Sequence, residues 1–148
     1  MIEEYNFGSI AINGKTYTYD VEVRWTDEVL SWRRREHHLI DIEDLEKAIE
    51  QEPEIIVIGT GQSGTAKVTE TAKREIESQG IELIIDVTEQ AIKTFNVISD
   101  ESEEEDGRQR KIIGLFHLTC RTKSDNIASK KLSSPNSLNR CLFKQSGL

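Results

Sequence analysis

Four consecutive β-branched residues, Ile55-Ile56-Val57-Ile58, lead directly into Gly59-Thr60-Gly61-Gln62-Ser63-Gly64. A run that is apolar at both odd and even positions suits a strand covered on both faces, the usual state of a central strand in a layered α/β sheet. The glycines that follow are spaced G-x-G-x-x-G, and a loop lined by residues without side chains lets backbone N–H groups approach a ligand closely. Gly59, Gly61, Gln62, Ser63 and Gly64 are therefore the first candidate ligand-binding residues.

The flanking pattern extends this reading. From Tyr5 to Val23 apolar and polar residues alternate around Asn13-Gly14, a dipeptide suited to the two positive φ angles of a type I′ turn. An N-terminal hairpin is expected, Phe7 to Ile12 paired with Lys15 to Tyr19, its second arm continuing through Val21 and Val23. A loop containing Trp25, Trp32, Arg33, Arg34, Arg35, His37 and His38 follows. Asp41 offers an N-cap to a helix with Ile42, Leu45, Ala48 and Ile49 on one face, ending before Pro53. Thr69 caps a polar helix to about Gln79, stopped by Gly80. Ile81 to Val87 reads as a second apolar strand, and Thr88 caps a helix from Glu89 to about Val97 bearing Ala91, Ile92 and Phe95. Ser99 to Asp106 is acidic without apolar periodicity and reads as a solvated loop, before a last strand from Lys111 to Thr119. The order β-β-α-β-α-β-α-β predicts an α/β fold, a mostly parallel sheet between helical layers with the hairpin as an antiparallel addition.

Composition narrows the functional classes. At 148 residues and 36% hydrophobic content the chain can build one core without disulfide staples. Residues 121–148 hold six basic side chains and one acidic, a net of +5, whereas residues 1–120 hold 13 basic and 26 acidic, a net of −13. An acidic body repels phosphodiester backbones, so no nucleic-acid partner is expected. The N-terminal residues Met1-Ile-Glu-Glu-Tyr5 are unlike a signal peptide or presequence, and no apolar run approaches the roughly 20 residues needed to span a bilayer. With two cysteines, Cys120 and Cys141, allowing at most one bridge, a reduced cytoplasmic setting is expected. The reading is a single domain over 1–120 and a basic, Ser/Asn-rich, disordered tail over 121–148.

Taken together, Tyr5-Asn-Phe-Gly8, Trp32-Arg33-Arg34 with His38, Pro53 to Gly64, Gly80-Ile81-Glu82, Thr88 to Asn96 and Phe116-His117-Leu118-Thr119-Cys120 resemble one family in order. This is the Mth-type domain of uncharacterised archaeal and bacterial proteins, the adipogenesis-associated Mth-domain protein and the third mitochondrial complex I assembly factor. The resemblance implies a three-layer fold around a mixed five-stranded sheet with one strand running against the others. It implies little chemistry, since most members have no established activity and the assembly factor acts through protein contacts.

Spacing separates the chemical motifs. Gly59, Gly61 and Gly64 with Asp86 match a dinucleotide fingerprint, but that fingerprint needs its third glycine at a helix start, and the first clear cap, Thr69, lies five residues later. No cofactor is expected, and a tight turn or small-anion nest fits better. In Gly61-Gln62-Ser63-Gly64 the second glycine comes one residue too early for a nucleophile elbow. His117 and Cys120 supply two of the four ligands of a structural zinc site, so no metal is expected. Cys120 would need a depressed pKa to act as a nucleophile. Trp32, Arg33 and Arg34 form either an exposed loop anchored by the tryptophan or a cationic site for an anionic ligand or acidic partner. The preferred function is a non-enzymatic protein-binding or assembly-type module acting through the glycine loop and the Trp-Arg-His loop. The alternative is an enzyme or carrier for a small anionic metabolite, with Ser63, His38 or His117 as catalytic candidates. Both require the two loops to lie on the same side of the molecule.

Overall fold

The structure is a computed structural model that describes residues 2–34, 36, 38–106 and 110–118. Arg35, His37, Cys120 and the expected tail over 121–148 lie outside these residues. In chain order the elements are β1 (Ile2–Asn6), β2 (Ser9–Ile12), β3 (Lys15–Tyr17), β4 (Val21–Arg24), β5 (Val29–Ser31) and β6 (Leu39–Ile40). They continue with α1 (Ile42–Ile49), β7 (Ile55–Gly59), β8 (Lys67–Val68), α2 (Glu70–Ser78), β9 (Glu82–Asp86), α3 (Thr88–Asp106) and β10 (Ile112–Phe116).

A five-stranded mixed sheet has the order β5-β4-β10-β7-β9. β10, β7 and β9 run parallel, and β4 lies antiparallel to both of its neighbours, β10 and β5. β4 alone runs against the other four strands, as the resemblance implied.

The apolar run of β7 is buried at every position. Because side chains alternate across a strand, Ile56 and Ile58 pack with Leu45 and Ala48 of α1 and Ala72 and Ile76 of α2, while Ile55 and Val57 pack with Ala91, Ile92 and Phe95 of α3. Full burial of each of these β7 side chains contributes about 2 kcal/mol. The sheet is thus the middle of three layers. On its α3 side lie Ile2, Ile10 and Ile12 of a separate antiparallel sheet, β1-β2-β3.

The Asn13-Gly14 hairpin forms as β2 and β3, in the register Ile10↔Tyr17 and Ile12↔Lys15. Its second arm stops at Tyr17, and Val21 and Val23 belong instead to β4 of the main sheet. Phe7 sits in the turn joining β1, which the sequence pattern did not reveal, to β2. Asp41 and Thr69 cap α1 and α2 as expected, and the Thr69 hydroxyl donates to Asp41 Oδ1 at 2.8 Å, joining the two helix starts.

The acidic stretch 99–106, expected as a loop, continues α3. Glutamate is a good helix former, and a helix already nucleated on the apolar face of Ala91, Ile92 and Phe95 extends one residue at a time at little further cost.

In β10, Gly114 faces α3 at a point where a Cβ would lie 2.5 Å from the Phe116 ring and 2.9 Å from Phe95. These rings meet edge to face with centroids 5.8 Å apart. Gly114→Ala is expected to lower the unfolding free energy by about 1–3 kcal/mol through overpacking, measured by urea denaturation.

Candidate functional site

The glycine loop leaves the C-terminal end of β7, where the parallel strands finish. Gly59 is needed for packing, since a Cβ there would come within 2.9 Å of the Thr88 Cα. Gly61 has φ of 104°, and a Cβ on it would lie 3.0 Å from His117 Cδ2. The loop therefore presses on the start of α3 and on the residue after β10, whereas α2 begins only at Glu70. Gly64 is not at a helix start, which the dinucleotide arrangement requires.

Thr88 is fully buried, and its hydroxyl turns toward the loop. It accepts a hydrogen bond from Gly61 N at 2.8 Å and donates one to the His117 carbonyl at 2.6 Å, while Thr88 N donates to Gly61 O at 3.1 Å. The expected helix cap is thus a bridge between the glycine loop and the exit of β10. Thr60 N and Oγ1 both donate to the Asp86 carbonyl, and Gly64 N donates to Gly61 O. The N–H groups of Thr60, Gly61 and Gly64 are all committed within the protein.

Arg34 and His117 meet at a residue the sequence did not single out, Asp20. Arg34 Nη2 lies 2.9 Å from Asp20 Oδ2 and 2.8 Å from His117 Nδ1, and Nδ1 lies 2.9 Å from the same Oδ2. Asp20 Oδ1 accepts from Leu118 N at 2.9 Å, and the Asp20 carbonyl accepts from Trp32 N at 2.8 Å. Arginine can only donate, so Nδ1 either carries a proton and donates to Oδ2 beside Arg34, or is bare and accepts from Arg34 Nη2. Burial pushes the Asp20 carboxyl up, but the His117 hydrogen bond, the charges of His117 and Arg34 and the Leu118 N–H together hold it below its ordinary value. Nearby, the Tyr5 hydroxyl donates to the Leu118 carbonyl at 3.4 Å, and burial, then Glu89 and Asp20, push its pKa up to about 12.

The two sequence-distant loops come together here. Gly61 and Arg34 both adjoin His117, and the parallel pair β6 and β8 joins the segments that follow them, with Lys67 N donating to His38 O at 2.8 Å. Trp32 is 5% exposed, anchored by Nε1 donating to Asp44 O at 2.9 Å and covered by the Arg34 guanidinium 5.3 Å from its ring centroid. Arg33, His38, Gln62 and Ser63 are exposed. Ser63 and His38 thus lie at the surface, while His117 is buried in the Asp20 cluster. Among the described residues no group of three or more metal-ligating side chains is gathered, and no helix is long and apolar enough to cross a membrane.

Thr88→Val removes the partner of two buried backbone groups. It is expected to cost about 2–3 kcal/mol and to accelerate amide exchange at Gly61, measured by denaturation and hydrogen exchange. Asp20→Asn leaves Arg34 and His117 without their counter-charge and is expected to destabilise by about 3 kcal/mol at neutral pH. Because the folded Asp20 pKa is depressed, its contribution is fully present above 3.8 and is lost as pH falls through the folded value. The stability gap between wild type and Asp20→Asn should therefore narrow in acid, measured by urea denaturation across pH.

Residues 2–113 match the family described as a protein of unknown function, DUF498/DUF598. The chain is similar to a conserved hypothetical protein from Pyrococcus horikoshii OT3, at 28% identity and a TM-score of 0.62, covering 81% of this chain and 99% of that one. A Xanthomonas campestris protein, at 13% identity and a TM-score of 0.62 over 80% and 83% of the two chains, shares the fold. So does an outer membrane protein from Bartonella henselae, at 18% identity and a TM-score of 0.64 over 80% and 93%. The chain belongs to the DUF498/DUF598 family, the Mth-type domains of unknown function.

Proposed function

We propose that this domain is a non-enzymatic protein-binding module of the cytoplasm, with its binding surface at the end of the sheet where the glycine loop and the Trp32-to-His38 segment meet. The observation that carries the reading is that the Asp20 carboxylate is held by Arg34 Nη2, His117 Nδ1 and the Leu118 N–H, and that the loop N–H groups of Thr60, Gly61 and Gly64 have internal acceptors. A small anion seeking Arg34 would have to displace the Asp20 carboxylate, which is already desolvated and held in place.

What remains outward is apolar with a polar margin. Phe7 and Tyr19 are each 49% exposed. Their chain neighbours bracket Leu118, because Gly8 N donates to its carbonyl at 3.3 Å and its N–H donates to Asp20. Two exposed aromatic rings, together with exposed Arg33 of the Trp32-to-His38 segment and exposed Gln62 and Ser63 of the glycine loop, have the make-up of a protein-interface core and rim.

A second reading, a small anionic ligand, rests on Arg33, an exposed cation among the described residues of this segment. The test pairs affinity capture from lysate with a thermal-shift panel of small carboxylates and phosphates. Phe7→Ser with Tyr19→Ser is expected to reduce capture of the specific partner about tenfold or more without changing the melting temperature. A carboxylate or phosphate that stabilises wild type but not Arg33→Ala, with no partner captured, would reverse the ranking.

A further inference from the structure

At the other end of β4 and β10, where Arg24 pairs with Ile113, a cleft of about 200 Å³ opens between the hairpin, the β4–β5 turn and α3. Its apolar wall is made by Ile12, Val23, Trp25 and Phe95. Ile12, Val23 and Phe95 are buried core residues, whereas Trp25 is only partly buried. The acids on the lining are Asp27, from the β4–β5 turn, and Asp100, from α3, both exposed.

The basic side chain lining the cleft is Arg24, and it is already neutralised. Its Nε lies 2.7 Å from the buried Glu22 carboxylate and its Nη1 lies 3.3 Å from Glu28. Among the described lining residues, an anion entering the cleft would face two carboxylates with no available counter-charge. A cation would meet those carboxylates together with the Trp25 side chain on the lining, a combination that attracts ammonium and guanidinium groups through charge and, over an indole face, through the ring quadrupole. The formal net charge of −8 adds a long-range attraction of the same sign. The volume falls below the roughly 300–1,000 Å³ of pockets for drug-sized ligands, so the occupant is the size of one side chain.

We propose that this cleft binds an organic cation, an ammonium or guanidinium on a short aliphatic stem, with the stem against Trp25 and Val23 and the charge between Asp27 and Asp100. The ligand is either a free amine or a basic side chain presented by a partner, and the chemistry recognised is the same. The site is independent of the surface around Phe7 and Tyr19, so the failure of one proposal leaves the other standing.

The test is an NMR titration at low salt with butylammonium, agmatine, Nα-acetyl-lysine methylamide, 1-butanol and butyrate. Shifts are expected to concentrate on the Trp25 indole and on the Asp27 and Ser99 amides, for the three cations alone. Asp27 has φ of 74°, a left-handed conformation that asparagine also tolerates, so Asp27→Asn removes charge without adding backbone strain. Asp27→Asn and Asp100→Asn are each expected to weaken butylammonium about fivefold with unchanged melting temperature. Trp25→Leu is expected to weaken it by a similar factor. Binding of the blocked lysine as tight as butylammonium identifies a partner's side chain as the source, and agmatine tighter than both identifies a free amine. Butyrate producing the same shifts, cation shifts scattered over the acidic surface, or affinity unaffected by both Asp→Asn changes would overturn the proposal.

Discussion

One carboxylate joins most of the segments that meet at the C-terminal end of β10. Asp20 takes hydrogen bonds from Arg34 and from the Leu118 N–H, and it lies within hydrogen-bond distance of His117 Nδ1. Its own carbonyl holds Trp32 N. The link from β3 to β4, the Trp-Arg segment and the exit of β10 are thereby fixed to one another, and Leu118 extends the set to the β1–β2 turn through Gly8 N. Desolvating the Asp20 carboxylate is tolerable because Arg34 Nη2 and the Leu118 N–H donate to it, and the cost of removing it is high for the same reason.

The glycine loop is a case where a ligand-binding pattern and a packing requirement look alike. A nucleotide site needs glycines so that backbone can approach a pyrophosphate; here they let backbone approach Thr88 and His117. The amide and carbonyl of Gly61 are bound by the Thr88 hydroxyl and N–H respectively, so the loop is tied to α3 by its main chain. The side chains of Gln62 and Ser63 remain exposed on it.

Local patterns made much of the fold legible. The Ile55–Ile58 run marked the central strand, Asp41 and Thr69 marked helix starts, and Asn13-Gly14 marked a hairpin turn, each because the signal lies within a few residues of its effect. The two loops were also expected to share one side, and they do. Asp20 was invisible for the opposite reason: its partners His117 and Leu118 are 97 and 98 residues away, and in the alternation Tyr17, Tyr19, Val21, Val23 it occupies an ordinary polar position. Thr88 reads from sequence as a helix cap, because the loop that occupies its hydroxyl lies 27 residues away at Gly61. The acidic extension of α3 was missed because apolar periodicity, the cue for a helix, is absent where a helix merely continues.

The position of β10 governs how this chain reaches its native state. It is the last strand of the described sequence, yet it lies at the middle of the main sheet, between β4 and β7. During synthesis the halves on either side, β5 with β4 and β7 with β9, have no common neighbour until residues 112–116 have left the ribosome. Until then the Ile55–Ile58 segment exposes an unpaired, β-prone edge, the kind of surface that invites aggregation and chaperone attention. Pairing of β10 with β4 and β7 closes that edge, and the same strand carries His117 to Asp20 and Arg34, so the sheet and the buried charge cluster depend on the same late segment of the sequence.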